Sequence, residues 1–169
     1  PGSFTGIRIG VSAAKGLAFA ADKPCAAVST LEAMARSLGV YQGYVLGVMD
    51  ARRAQVYAGL FHADCGKYTR VMEDSAISLE DLREVLQKCS EPIFLVGDGA
   101  QLCYNTCLDM GIPAVLAPGN LVVQSAWGVA MAAFGQTPAP AEELLPVYLR
   151  LSQAERERQA RLAAEAEKD

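Results

Sequence analysis

The sequence predicts an α/β fold in which a mixed sheet carries helices on its faces, with the element order βββαβαβα. Three observations lead to it. Tyr44 to Met49, Gln55 to Phe61 and Tyr68 to Met72 are runs of strand length, linked by Asp50-Ala51-Arg52-Arg53 and around Ala63-Asp64-Cys65-Gly66. Consecutive strands with such short links pair as an antiparallel meander. Further on, helical patterns alternate with short apolar runs, as they do where helical crossovers add strands to a sheet.

The elements follow in order. Ser3 to Ala20 reads as a helix, with Ser3 or Thr5 as its cap. Gly6, Gly10, Ala14 and Ala18 fall four apart on one flank of it, and Arg8, Ser12, Lys15 and Phe19 lie on the other. A glycine inside a helix costs about 1 kcal/mol relative to alanine. Two at this spacing imply that another backbone comes close along the flank. Asp22-Lys23-Pro24 ends the helix, and Cys25 to Val28 is a short extended stretch. Ser29 caps a second helix from Thr30 to Leu38, with Glu32 placed as in a capping box, and Gly39 closes it.

After the meander, Ser78 to Cys89 is amphipathic, with Leu79, Leu82, Val85 and Leu86 on one face. Pro92 introduces a strand from Ile93 to Val96, and Gly97-Asp98-Gly99 is a loop. A helix from Ala100 to Met110, a strand from Ala114 to Ala117 and a helix from Val122 to Phe134 complete the alternation. Gln136 to Ala141 is a linker, and Leu144 to Leu151 is extended. Ser152 to Asp169 is either a solvated helix supported by Glu157 and Arg161 or a disordered tail.

Composition narrows the function classes. A chain of 169 residues holds one ordinary domain, or a small one and part of another. With 51% hydrophobic and 20% charged residues it is globular. A net charge of −4 and a pI near 5.1 exclude a protein that grips nucleic acid unaided, leaving only a local basic patch at Arg52 and Arg53. Asp50, Arg52 and Arg53 read either as a hairpin turn or as a contact for a nucleic acid or a partner. No apolar run reaches the roughly eighteen residues of a membrane span.

The five cysteines, Cys25, Cys65, Cys89, Cys103 and Cys107, have no framework spacing and read as reduced thiols of a cytoplasmic protein. His62 with Cys65 and Cys103 with Cys107 offer four zinc ligands. Paired C-x-x-C spacings are absent, however, and Cys103 and Cys107 also suit a buried helix face. Core packing is therefore the reading adopted, and no metal is expected. No Walker loop and no G-x-S-x-G elbow occur, and His62 is the one histidine available to any triad.

The meander followed by alternating α/β is the ribonuclease H-like arrangement found in each lobe of actin-like ATPases. PGSFTGIRIGVSAAKGLA, Val28-Ser29-Thr30-Leu31, Asp50-Ala51-Arg52, Val56-Tyr57, Gly97-Asp98-Gly99 and Pro146-Val147-Tyr148-Leu149-Arg150 occur in the order seen in the bacterial TsaB (YeaZ) family. Across residues 1 to 150 the chain resembles that family. The resemblance implies a non-catalytic subunit of the machinery that makes N6-threonylcarbamoyladenosine at position 37 of tRNA. In the family, TsaB activates its paralogue TsaD, which performs the transfer, and TsaE is an ATPase partner. Because the family was once grouped with glycoprotease-like proteins, an M22-type peptidase is the alternative. In TsaD, two metal-binding histidines four apart match the positions of Thr30 and Met34 here, so no catalytic residue is expected.

The resemblance also implies a domain division. Residues 1–40 would be helices left from a truncated first actin-like lobe, 41–136 the second lobe, and 137–169 a linker, an extended PVYLR segment and a tail. The truncation would leave apolar surface exposed and favour dimerisation. Phe4, Gly6, Ile7, Gly10, Val11, Ala14 and Phe19 are the candidate partner-binding residues, unless this helix packs only on its own sheet. Ser3 and Thr5 at the helix start, and Gly97, Asp98 and Gly99 in the loop, are candidates for nucleotide or anion contact. Capping explains the first pair, and a turn explains the loop. ATP or ADP would bind only at an interface with a partner. The expected partners are a TsaD-like paralogue, a TsaE-like ATPase and a second copy of the chain, with tRNA engaged only indirectly and no membrane.

Overall fold

Alternating side chains in the middle of the chain force a sheet that is covered on both faces. The computed structural model describes residues 3–39 and 42–150, together with Arg158 and Arg161. The Glu157–Arg161 support expected in the tail lies outside the described residues. β1 (Gly43–Arg52), β2 (Gln55–Asp64) and β3 (Lys67–Ser78) form the meander, and β4 (Ile93–Val96) and β5 (Ala114–Leu116) complete the sheet. The strand order is β3-β2-β1-β4-β5. β1–β2 and β2–β3 are antiparallel, while β1–β4 and β4–β5 are parallel. Tight turns suffice for the antiparallel joints. The parallel ones need crossovers, which α3 (Leu79–Leu86) and α4 (Ala100–Asp109) supply.

The period-two pattern splits the core. Leu46, Val48, Val56, Ala58, Ile93 and Leu95 face Leu82 and Leu86 of α3 and Cys103 and Cys107 of α4. Val45, Phe61, Ala63 and Val96 face Leu31, Met34 and Ala35 of α2 (Thr30–Arg36). α2 sits low on the sheet because Gly47 carries no side chain, while its register partner Gly59 leaves room for the Asp74 carboxylate. A Cβ on Gly47 would lie 2.4 Å from the Leu31 carbonyl oxygen. α5 (Ala126–Ala133) packs on the back of α2 through Gly128, with the Ser37 and Ser125 hydroxyls 3.2 Å apart.

Several boundaries differ from the sequence expectation. β3 runs on to Ser78 instead of stopping at Met72, where Glu73 and Asp74 share one cationic partner, Arg70. Arg70 reaches Asp74 at 2.5 Å and Glu32 at 2.9 Å, and Ser29 also donates to Asp74. Burial works against the Arg70 cation, but the two carboxylates outweigh it and leave its pKa above the usual value. Ser29 caps α2 by accepting from the Glu32 amide at 3.1 Å. The Glu32 carboxylate does not return to the cap; it pairs with Arg36 and Arg70. α5 begins at Ala126 behind its own cap, Ser125, because a 3-10 turn at Gly119–Leu121 takes up the preceding residues. Residues 144–150 join no strand, and Cys25 forms only a single bridge, to Ala139.

The buried thiols make a pH prediction. Burial, helped by Cys107 in each case, pushes Cys103 up to about 12 and Cys89 up to about 11, from 9.0 in the unfolded chain. A raised pKa stabilises the fold fully below the unfolded value and loses that contribution as pH climbs to the folded one. The urea midpoint should therefore fall as pH rises from 9 towards 12, and Cys103→Ala should flatten that fall. An equally steep fall in the variant would show that Cys103 is not its source.

Candidate functional site

α1 (Phe4–Ala20) starts where Ser3 caps it, its hydroxyl accepting the Gly6 amide at 3.0 Å. No residue of this helix is buried. Its ties to the rest of the chain lie on one side. The Phe4 and Tyr148 rings are 5.0 Å apart, Arg8 Nε donates to the Tyr148 hydroxyl at 2.8 Å, and Lys15 Nζ donates to the Glu142 carbonyl at 2.9 Å. The helix thus rests on the C-terminal segment, and no packing of it on the sheet accounts for its small-residue flank.

At about 100° per residue, Gly6, Ile9, Gly10, Ala13, Gly16, Leu17 and Ala20 share a sector of about 120° facing away from those ties. The sector carries no charge. Ile9 is 65% exposed and Leu17 76%. A methyl group placed on Gly10 would meet no atom within 4 Å.

The structure therefore rearranges the sequence-derived set. Gly6, Gly10 and Ala14 are open, and Phe19 is also exposed. Ile7 and Val11 are half-buried, and Phe4 is engaged with Tyr148. Ile9 and Leu17, which sequence reasoning passed over, supply the exposed apolar bulk. Their eight-residue spacing, with small residues between, was the signal.

The second candidate region lies at the loop end of β1 and β4. Gly97 has φ +117° and is buried against β1. Asp98 Oδ1 accepts the Asp50 amide at 3.1 Å, and Asp50 Oδ1 accepts the Arg52 amide at 2.6 Å. Gly99 begins α4 without a side-chain cap. Arg52, Arg53 and Ala54 have φ of +63°, +55° and +55°, a left-handed run that non-glycine residues adopt only when their surroundings impose it. Arg150 contributes to this by donating to the Ala51 carbonyl at 2.8 Å. The structure brings Asp98 to Asp50. Among the described residues, the Ser3 hydroxyl serves the Gly6 amide and Asp98 serves the Asp50 amide, so the structure does not join the helix start to the loop.

Thr30 and Met34 lie on α2, and Met34, 1% exposed, is a core residue. His62 is on β2, its ring edge-on to Tyr44 and its Nε2 3.4 Å from Glu91. Cys65 is exposed at the β2–β3 turn, whereas Cys103 and Cys107 are buried. Among the described residues no three His, Cys, Asp or Glu side chains group to hold a metal ion, and no helix is long and apolar enough to cross a membrane.

The 3-2-1-4-5 sheet with helices on both faces defines a ribonuclease H-like lobe of the actin-like class. The chain is 35% identical over 158 residues to the tRNA threonylcarbamoyladenosine biosynthesis protein TsaB of Bacillus subtilis, spanning 92% of this chain and 68% of the relative. It belongs to the TsaB (YeaZ) family. The TsaB of Escherichia coli matches at 35% identity, over 89% of this chain and 67% of its own. A family model described as TsaD, tRNA N6-adenosine threonylcarbamoyltransferase, matches residues 1–110. Among solved structures, YeaZ from Pseudomonas aeruginosa superposes with a TM-score of 0.66 at 28% identity, covering 88% of this chain and 70% of that one. A second, described as an uncharacterized protein with similarity to peptidase YEAZ from the same organism, gives a TM-score of 0.64 at 26% identity, covering 89% and 70%.

Proposed function

We propose that the chain is a non-catalytic subunit of the tRNA threonylcarbamoyladenosine machinery that binds a TsaD-like catalytic paralogue through α1. The observation that carries this reading is the uncharged face of a 17-residue helix with no buried residue, in a family named for that biosynthesis. A TsaD-like partner fits because the TsaD family model itself matches residues 1–110, the stretch that contains α1. A paralogue of the same fold therefore brings a corresponding helix. Two such faces meet closely only where neither carries bulk, as at Gly6, Gly10 and Ala13. Ile9 and Leu17 then supply apolar area, at about 1.5–3 kcal/mol for each side chain fully buried.

In this reading a TsaE-like ATPase joins the pair, a second copy of the chain covers the same face when the paralogue is absent, and the assembly works in the cytoplasm. ATP or ADP would be held only at the interface, with Ser3 and Thr5 or Gly97 to Gly99 contributing from this side. The peptidase alternative has less support. Met34 is spent in the core, and His62 faces Glu91 and Tyr44 rather than a nucleophile.

Gly10→Leu tests the interface cleanly. The new side chain has open space in the isolated chain and raises helix propensity, so the melting temperature should hold or rise slightly. At a close helix–helix contact it overpacks by about 1–3 kcal/mol, which predicts a loss of affinity for the TsaD-like paralogue of about tenfold or more. Co-purification and titration calorimetry read this directly. Wild-type affinity in Gly10→Leu would remove α1 as the docking face.

A further inference from the structure

The Pro146–Arg150 segment is a motif of the sequence that the proposed docking face leaves unexplained. Its two polar side chains point to different elements. The Tyr148 hydroxyl accepts from Arg8 Nε at 2.8 Å, and its ring lies 5.0 Å from that of Phe4 at 31°. The Arg8 guanidinium joins the same cluster, 3.9 Å from the Phe4 centroid and 5.7 Å from that of Tyr148. Two residues on, Arg150 Nη1 donates to the Ala51 carbonyl, near the C-terminal end of β1. Upstream, Lys15 reaches the Glu142 carbonyl, and Cys25 and Ala139 exchange two backbone hydrogen bonds of 2.8 Å. One stretch of chain, from Ala139 to Arg150, thus touches both halves of α1, the segment that follows it, and the loop end of the sheet.

α1 needs such support. It buries no residue and contains three glycines, Gly6, Gly10 and Gly16. Most helical stability in proteins comes from packing, and a glycine-rich helix of this length is marginal without it. We propose that Pro146–Arg150 is a clamp in which Tyr148 holds α1 and Arg150 fixes the clamp to the C-terminal end of β1. Tyr148, Arg8 and Arg150 are then positioning residues for the docking helix, setting its pose before a partner arrives. The partner half of this inference rests on the docking function proposed above; the clamp itself does not.

The test compares the full chain with Tyr148→Ala, Tyr148→Phe and Arg150→Met by hydrogen–deuterium exchange, resolved by peptide. In Tyr148→Ala, amides of residues 4–20 should exchange about tenfold faster, while those of β1, β2 and β4 keep the wild-type rate. Tyr148→Phe keeps the ring and loses the acceptor, so it should restore most of the protection. Arg150→Met should loosen both residues 51–54 and α1, which a merely local role for Arg150 would not do. Unchanged exchange of α1 in Tyr148→Ala would overturn the clamp, as would equal acceleration of α1 and the sheet. In a second arm, affinity for the TsaD-like paralogue should fall in Tyr148→Ala and recover in Tyr148→Phe. A wild-type chain that does not bind the paralogue would sink the proposed function, while the exchange data would still decide the clamp.

Discussion

Gly97→Ala is expected to destabilise the chain by about 2–6 kcal/mol, combining a left-handed backbone strain of about 1–3 with overpacking of similar size. Gly97 sits at φ +117°, and a Cβ there would lie 1.9 Å from the Val48 carbonyl oxygen. That oxygen belongs to the backbone of β1, paired with β2 on one side and β4 on the other, and it also accepts the Gly99 amide at 3.3 Å. It has nowhere to retreat. Against a total stability of about 5–15 kcal/mol, the loss should lower the melting temperature by about 4 °C or more. Thermal and urea denaturation followed by circular dichroism measure it, and a midpoint within experimental scatter of wild type would contradict the close approach.

Phe61→Ala should cost about 3–5 kcal/mol, the range for deleting a buried aromatic ring. Phe61 is 1% exposed on the face of the sheet beneath α2, and the Arg70 guanidinium lies 4.7 Å from its ring centroid. Removing the ring leaves a cavity and takes away the apolar floor on which Arg70 bridges Glu32 and Asp74. Phe61→Leu separates these contributions. It keeps much of the volume and loses the π face, so a cost under about 1.5 kcal/mol would assign most of the effect to packing. A cost below about 1 kcal/mol for Phe61→Ala itself would contradict its place in the core.

The outline of the fold was open to sequence reasoning wherever hydrophobic period and turn chemistry agreed. Ile93–Val96 is the clearest case, with four apolar residues bounded by Pro92 and Gly97. The meander was similarly plain, but the end of β3 was not. Glu73 and Asp74 look like a strand terminator until Arg70 and Ser29, distant in sequence from each other, are brought beside them. The start of α5 was misplaced for a related reason. Val122 and Val123 extend the apolar pattern, yet the turn at Gly119–Leu121 and the Ser125 cap delay the helix. On α1 the small-residue spacing was visible at once. Which sector of the helix stays open was not, because that depends on where Tyr148 and Glu142 land.

By itself, the sequence determined the element order, the two-faced core and the family, because periodicity, capping residues and ordered motifs are local properties. The tertiary structure alone decided that Gly47 admits α2 to the sheet, and that Asp98 serves the Asp50 amide. It also decided that Ile9 and Leu17 look outward while Phe4 is held by Tyr148. Each of these joins residues far apart in the chain, and no local pattern encodes which distant backbone will arrive beside a given side chain.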